Sequence, residues 1–484
     1  MSKKNLLKNT FIYSIGEIFP KIISFLLLPV FTSYLTTSDY GIISYTNSVM
    51  FFLLVIASLA LNTYLLREYF NTESQMEREK LIGNVFTVTL LFNLFLLIVS
   101  FTLGPLIVKY AQLKISFFPY FSLSILNNFF EVFSIVPLII FRVKEKAIFY
   151  VVTNSLRAIL LFVVTYVLIV HFKWGILGNF YGRLFVNGGF AIVYIFIVLR
   201  HAKLNINFKL AKKALKFSLP LIPGSIGFLL MSMSDRIILE RYVSLSDIGV
   251  YSVAYTIAFS LSIIIQGGYR SFEPEIYREY GKENFIVFIE KLHGLFMTVI
   301  FLIAIGLSLF AKEMLLIMTK GGFVSGYILI PIILVGVIAT GQNAILGSII
   351  IAENKTKVSS YATIFGGVVS ILFNLLLIPV YGIYSAAFAT AVAYLVMNLI
   401  IIKGMDMKVR FIKFDIISIL YFAFLSIGAI YFFNNVKLSI PIIMIKFGLF
   451  LASLFLIPKF YNLNQDFIRN ILGKFLFKFK RSDV

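Results

Sequence analysis

The chain has 484 residues, of which 60% are hydrophobic and only 13% charged, and its formal net charge is +21. A soluble domain carries about 25% charged residues, and a mean hydropathy of +0.95 leaves too few polar side chains to clothe a water-facing surface. These figures exclude a soluble enzyme, a disordered scaffold and a nucleic-acid binder; in a polytopic membrane protein, excess Lys and Arg collect in cytoplasmic loops.

A helix needs about 20 mostly apolar residues to cross the hydrocarbon. Apolar runs bounded by charge or by Gly and Pro predict about fourteen spans. They fall near 11–35, 42–66, 82–108, 115–141, 147–171, 176–199, 217–240, 247–269, 286–311, 323–351, 358–380, 383–402, 414–434 and 438–458. What remains is short loops, with no room for a soluble domain. The basic start suits a secretory signal, but the first apolar run passes about 20 residues and no small-residue cleavage site follows, so a retained first helix is expected. With the N-terminus inside, about 31 cations fall in inner loops and tails and about 7 outside. An error of one span would scramble that alternation. Both termini are therefore expected in the cytoplasm, with the chain in the cytoplasmic membrane. The absence of cysteine excludes disulfides and zinc–thiolate sites.

Two segments repeat at a spacing of 208 residues. Tyr34-Leu-Thr-Thr-Ser38-Asp39-Tyr-Gly41-Ile-Ile-Ser44 matches Tyr242-Val-Ser-Leu-Ser246-Asp247-Ile-Gly249-Val-Tyr-Ser252 at the Tyr, Ser, Asp, Gly and Ser positions. Leu7-Lys8-Asn-Thr10 and Leu215-Lys216-Phe-Ser218 match at the same spacing, and Trp174-Gly175-Ile176 echoes Tyr381-Gly382-Ile383. Short loops rich in Ser, Asp and Gly match by chance, but this spacing equals one six-helix block. A duplication is expected, with parallel repeats as in many transporters. It divides the chain into a six-helix lobe at 1–202, an amphipathic cytoplasmic linker at 203–216, a second lobe at 217–403, two extra helices at 404–458 and a basic tail at 459–484. The tail segment Phe467–Lys480 mixes apolar and basic residues and is expected to lie at an anionic lipid surface.

Ionisable residues inside predicted spans each cost about 2.5–3.5 kcal/mol if they face lipid, so they should face the bundle interior. Glu17 and Lys21 are spaced i, i+4 with Pro20 between them, which fits an ion pair beside a kink or a ligand and ion-coupling site. Asp235 and Arg236 point about 100° apart on a helix, so one of them is expected to line a cavity. Arg157 and Arg183 have no acid nearby in their own helices, and Glu131 is a third candidate for pairing or ion coupling. Arg67 and Arg270 sit at helix ends, where an anchor and a gate contact are both open readings. Lys446 is expected to snorkel or meet lipid, and the three histidines to lie at interfaces. Guanidinium makes forked, charge-assisted bonds to phosphate oxygens. Arg157, Arg183, Arg236 and Lys21 therefore form the candidate set for a phosphate-bearing substrate. No phosphate loop, HExxH or Gly-x-Ser-x-Gly elbow occurs, so no catalytic residue, metal or cofactor is expected.

Lys8-Asn9-Thr10-Phe-Ile-Tyr-Ser14, then Leu28-Pro29-Val30-Phe31 and Tyr34–Gly41, resemble the N-terminal signature of polysaccharide-unit flippases. These are the lipid-linked oligosaccharide flippases of the multidrug/oligosaccharidyl-lipid/polysaccharide (MOP) exporter superfamily. The resemblance implies an all-α membrane fold of about fourteen helices, with two pseudo-symmetric six-helix lobes around a cationic cavity and two extra C-terminal helices. It also implies transfer of an undecaprenyl-diphosphate-linked oligosaccharide for O-antigen or capsule. The partners it implies are that lipid-linked oligosaccharide, membrane lipid, and a polysaccharide polymerase with chain-length proteins. A cation-coupled multidrug antiporter is the alternative, but it would call for buried acids rather than buried cations.

Overall fold

The computed structural model describes residues 3–407, 411–433 and 439–463. The expected tail helix Phe467–Lys480 lies outside these residues. Among them every regular element is helical, and fourteen helices are long and apolar enough to cross a membrane, from Gly16–Tyr34 to Ile440–Phe460. Each predicted apolar run has its helical counterpart. Three are markedly longer than predicted: Thr37–Asn71, Gln75–Tyr110 and Phe208–Tyr242. Their extra turns carry Arg67 and Glu68, Glu77 to Lys80, and Lys209 to Lys216. A charged turn remains a good helix former but drops out of an apolar count.

The first helix, Lys3–Leu26, runs through Pro20, and the interruption falls at Leu27, just before Leu28–Tyr34. Pro29 sits in the first turn of that second piece, where a missing N–H is harmless. The second span is broken where Leu59 and Ala60 adopt left-handed backbone at φ 48° and 50°. Large apolar side chains such as Phe95, Ile98 and Ile107 are exposed on the third span, as expected where lipid is the solvent.

Packing divides the chain into two units. One runs to Val253 and also holds Met318–Phe323 and Thr363–Ala389; the other holds Ala254–Ile317, Val324–Ala362 and the described residues from Thr390. In the first unit, a core built on Leu61, Tyr64, Leu81, Ile140, Tyr194 and Ala214 joins four spans to the linker helix Phe208–Ser218. That linker is tied down by polar contacts. Asn205 Nδ2 donates to Lys80 O at 3.1 Å, Asn84 Nδ2 donates to Asn207 O at 3.2 Å, and Lys213 pairs with Glu68.

The repeated motif also lies in the first unit, and its structure accounts for its sequence. Thr36 and Asp39 form a capping box at the start of Thr37–Ser58, and 208 residues later the Asp247 N–H donates to Ser244 Oγ and the Ser244 N–H to Asp247 Oδ2 in the same way. The two helix starts then meet reciprocally. A Cβ on Gly41 would fall on the carbonyl oxygen of Leu245, and a Cβ on Gly249 on that of Thr37. Thr37 Oγ1 and Ser246 Oγ are 2.7 Å apart, and Ser44 Oγ donates to Ser252 Oγ at 2.6 Å. Gly41 equates with Gly249, Thr37 with Leu245 and Ser44 with Ser252, so the contact has pseudo-two-fold character. The weaker echo has a backbone cause as well: Gly175 and Gly382 both take positive φ, at 54° and 56°.

In the second unit, Phe285–Leu309 packs against Leu329–Ala352, Ile412–Phe433 and Ile440–Phe460. Ser308 and Ser426 bridge two of these helices with hydroxyls 2.8 Å apart. His293, expected at an interface, is fully buried here. Its ring stacks on Phe411 with centroids 3.7 Å apart, and its Nε2 lies 2.9 Å from Asp415 Oδ2. Asp415 also accepts from Gln342 Nε2 at 2.7 Å and from the Tyr461 hydroxyl at 2.5 Å. Tyr461 lies just past the last span; burial, and then the Asp415 carboxylate, push its phenol above the ordinary range. The hydroxyl therefore keeps its proton and donates.

Candidate functional site

Three helices of the first unit bring polar groups to one place. Ser122–Val132 supplies Asn127 and Glu131, Ala147–Tyr166 supplies Arg157, and Ile176–His201 supplies Arg183 and Asn187. Arg157 Nη2 lies 3.0 Å from Glu131 Oε1, and its Nε donates to Asn187 Oδ1 at 2.8 Å. Asn187 Nδ2 passes the chain on to Asn127 Oδ1 at 2.7 Å. Arg183 Nη1 donates to Asn47 Oδ1 at 2.8 Å, from the second span. Arg157 pairs with Glu131 while Arg183 bonds the Asn47 amide, so two guanidiniums stand against one carboxylate and the group keeps one net positive charge. Arg157 is mostly buried, with 15% of its side chain exposed, whereas Glu131 keeps 36%. The carboxylate is therefore the more exposed half of the pair.

Arg236 does not join this set. The sequence places Asp235 and Arg236 on diverging faces, and one was expected to line a cavity. They pair with each other: Arg236 Nη1 lies 2.9 Å and 3.0 Å from the two Asp235 carboxylate oxygens. The same nitrogen donates to Ser232 O at 2.8 Å, and the Tyr251 hydroxyl donates to Asp235. Divergent Cβ directions do not prevent this, because the long arginine stem folds back over its own turn. Both residues are buried, and the arginine is neutralised where it stands.

Glu17 receives Arg142 from Ile135–Val143, and the Tyr150 hydroxyl lies 3.5 Å from the same oxygen. Lys21 is exposed on the same helix as Glu17. Arg67 is exposed with its guanidinium 4.8 Å from the Phe217 ring centroid, and Arg270 is half-buried in Leu261–Glu279 of the second unit. Lys446, expected to snorkel or meet lipid, is 3% exposed and donates to Glu313 Oε1 at 2.6 Å. Sequence reasoning missed the buried acids Glu240, Glu313 and Asp415. Glu240 Oε1 accepts the Lys114 backbone N–H at 2.5 Å. Glu240 and Asp415 fall at the edges of the predicted spans 217–240 and 414–434 and Glu313 just beyond 286–311, all near helix ends where a charge looks solvated.

A family model described as "Polysaccharide biosynthesis protein" matches residues 6–267, more than half of the chain. The chain belongs to this family. The match covers the arginine cluster and both copies of the capped glycine motif. Lsg locus putative protein 1 of Haemophilus influenzae is 24% identical over 294 residues, 59% of this chain and 69% of that protein. The probable low-salt glycan biosynthesis flippase Agl15 of Haloferax volcanii is 26% identical over 196 residues, 39% of this chain and 41% of that protein. Among solved structures, the lipid II flippase MurJ in an inward closed conformation aligns with a TM-score of 0.71 at 16% identity, covering 91% of this chain and 97% of that one. An inward-facing multidrug resistance MATE transporter of the MOP superfamily aligns at 0.57 and 14% identity, covering 90% and 97%. The polysaccharide biosynthesis family member therefore has the fold of MOP-superfamily transporters.

Proposed function

We propose that this protein is a flippase that moves an undecaprenyl-diphosphate-linked oligosaccharide across the cytoplasmic membrane for O-antigen or capsule synthesis. It is a transporter without a catalytic site. The observation that carries this reading is the Arg157–Glu131–Arg183 cluster, which holds one surplus positive charge inside a membrane-spanning unit. A diphosphate displaces Glu131 from Arg157 and takes forked bonds from both guanidiniums, which a low dielectric strengthens. The sugar enters with the diphosphate, and the polyprenyl tail stays in lipid. Alternating access, with the N- and C-terminal halves rocking about the substrate, carries the head group to the outer leaflet.

The flippase names of MurJ and Agl15, together with the family description, agree with this reading. The test is surface glycan display at matched expression in cells that depend on this chain. Arg157→Ala and Arg183→Ala should each lower export roughly tenfold or more, since a charge-assisted bond contributes about 1.5–3 kcal/mol. The corresponding Lys variants should recover only part, because an ammonium lacks the fork. Full export by both Ala variants would remove the cluster from the substrate path.

A further inference from the structure

The linker between the two repeats presents an apolar row outward. Residues 202–207 join Ile176–His201 to Phe208–Ser218 without helix, beginning and ending on extended backbone at Ala202 and Asn207. One side of this segment is clamped to Gln75–Tyr110. A Cβ on Gly83 would fall 2.0 Å from Lys203 O, so a side chain there would block the approach. Asn205 Nδ2 donates to Lys80 O, and Asn84 Nδ2 donates to Asn207 O. In an extended segment successive side chains face opposite ways. With Asn205 turned inward, Leu204, Ile206 and Phe208 are left outward, at 48%, 53% and 83% exposure.

Basic residues stand alongside this row. Lys209, Lys212, Lys213 and Lys216 recur at the spacing of one helix face, while Ala214 and Ser218 are buried on the other. Lys213 is held by Glu68, whereas Lys203, Lys209, Lys212 and Lys216 are all exposed. No acidic residue occurs between Glu145 and Asp235, and the start of Gln75–Tyr110 sets Glu77 and Glu79 against Arg78 and Lys80. The segment leaves one candidate span at His201 and enters the next at Phe208, so it lies beside one membrane face. A single exposed apolar residue needs no explanation; three held in a row by contacts on the opposite side form a built surface. Apolar side chains beside lysines suit an anionic lipid surface, the former sinking to the acyl boundary and the latter meeting phosphates. We infer that the linker docks on anionic phospholipid through Leu204, Ile206 and Phe208, with Lys209, Lys212 and Lys216 on the head groups. This docking is independent of the proposed substrate.

The test places one fluorophore on the row. Trp174 is the chain's one tryptophan, so Phe208→Trp in a Trp174→Phe background gives a single indole at a highly exposed position. The full-length variant is placed in phosphatidylcholine nanodiscs with or without phosphatidylglycerol, and quenching is read from brominated phosphatidylcholine and from aqueous acrylamide. With phosphatidylglycerol present, lipid quenching should rise and acrylamide quenching should fall, and added salt should reverse both. Each lysine contributes roughly fivefold to the preference for an anionic surface. Combining Lys209→Gln, Lys212→Gln and Lys216→Gln should therefore remove the phosphatidylglycerol effect, and Arg at the same three positions should keep it. Equal quenching with and without phosphatidylglycerol, or an effect that survives the three Gln substitutions, overturns the docking. Shielding from acrylamide without lipid quenching would mean that protein, such as a second copy of this chain, covers the row, and the lipid assignment fails.

Discussion

At the scale of single residues, the capped glycine motif makes the sharpest demand. Gly41 and Gly249 each face a backbone carbonyl rather than a side chain. A side chain can swing aside, but a carbonyl in a helix's first turn cannot without breaking its cap. Gly41→Ala should therefore push the two helix starts apart rather than be absorbed by repacking, which ordinarily costs about 1–3 kcal/mol. The chain has no cysteine, so Ser44→Cys with Ser252→Cys gives a clean reporter at a site where the hydroxyls are 2.6 Å apart. That pair should form a disulfide under mild oxidation, and adding Gly41→Ala should cut the yield severalfold. An unchanged yield would show that the approach is not limited by the missing Cβ. The repeat was legible in the sequence because caps and close approaches select few residue types. Its partner was not, because a match of two segments does not say that they touch.

At the scale of elements, charge legibility depended on where the partner resides. Spacing speaks only for pairs within one helix. Arg157 was recognised as a buried cation, but its acid comes from another helix, Ser122–Val132. Spans were found because apolar length is a local property, and their polar extensions were missed for the same reason. The His293–Asp415 pair escaped on the first count, since its two members come from different helices. Asp415 sits in the first turn of Ile412–Phe433, and its donors come from three other places in the chain: His293, Gln342 and Tyr461. This one carboxylate therefore pins the thirteenth span to the ninth, the tenth and the end of the fourteenth. Asp415→Ala leaves three buried donors without an acceptor, which should cost on the order of 3–5 kcal/mol. Thermal unfolding should show a clear loss of stability, and limited proteolysis should cut first near the thirteenth and fourteenth spans. Asp415→Asn, which keeps an acceptor oxygen, should be milder. If Asp415→Ala melts like the parent, the network is not what holds these helices.

At the scale of the whole molecule, orientation is set by arithmetic that no single contact reveals. About 31 cations on one set of loops against about 7 on the other is a bias far larger than one misassigned loop removes. The described residues hold fourteen helices long and apolar enough to cross a membrane, and if each crosses once, every loop takes its side from the first. The loop between the fourth and fifth spans, with Lys144 to Lys146, should lie inside, and the loop at Lys173 and Trp174 outside. Glu145 and Lys173 are both exposed, and the cysteine-free background makes each a reporter. In intact cells, a membrane-impermeant maleimide should label Lys173→Cys and spare Glu145→Cys, and permeabilisation should make both reactive. Labelling of Glu145→Cys from outside would invert the assignment. It would also place the inner loops that the proposed transport direction requires on the wrong side of the membrane.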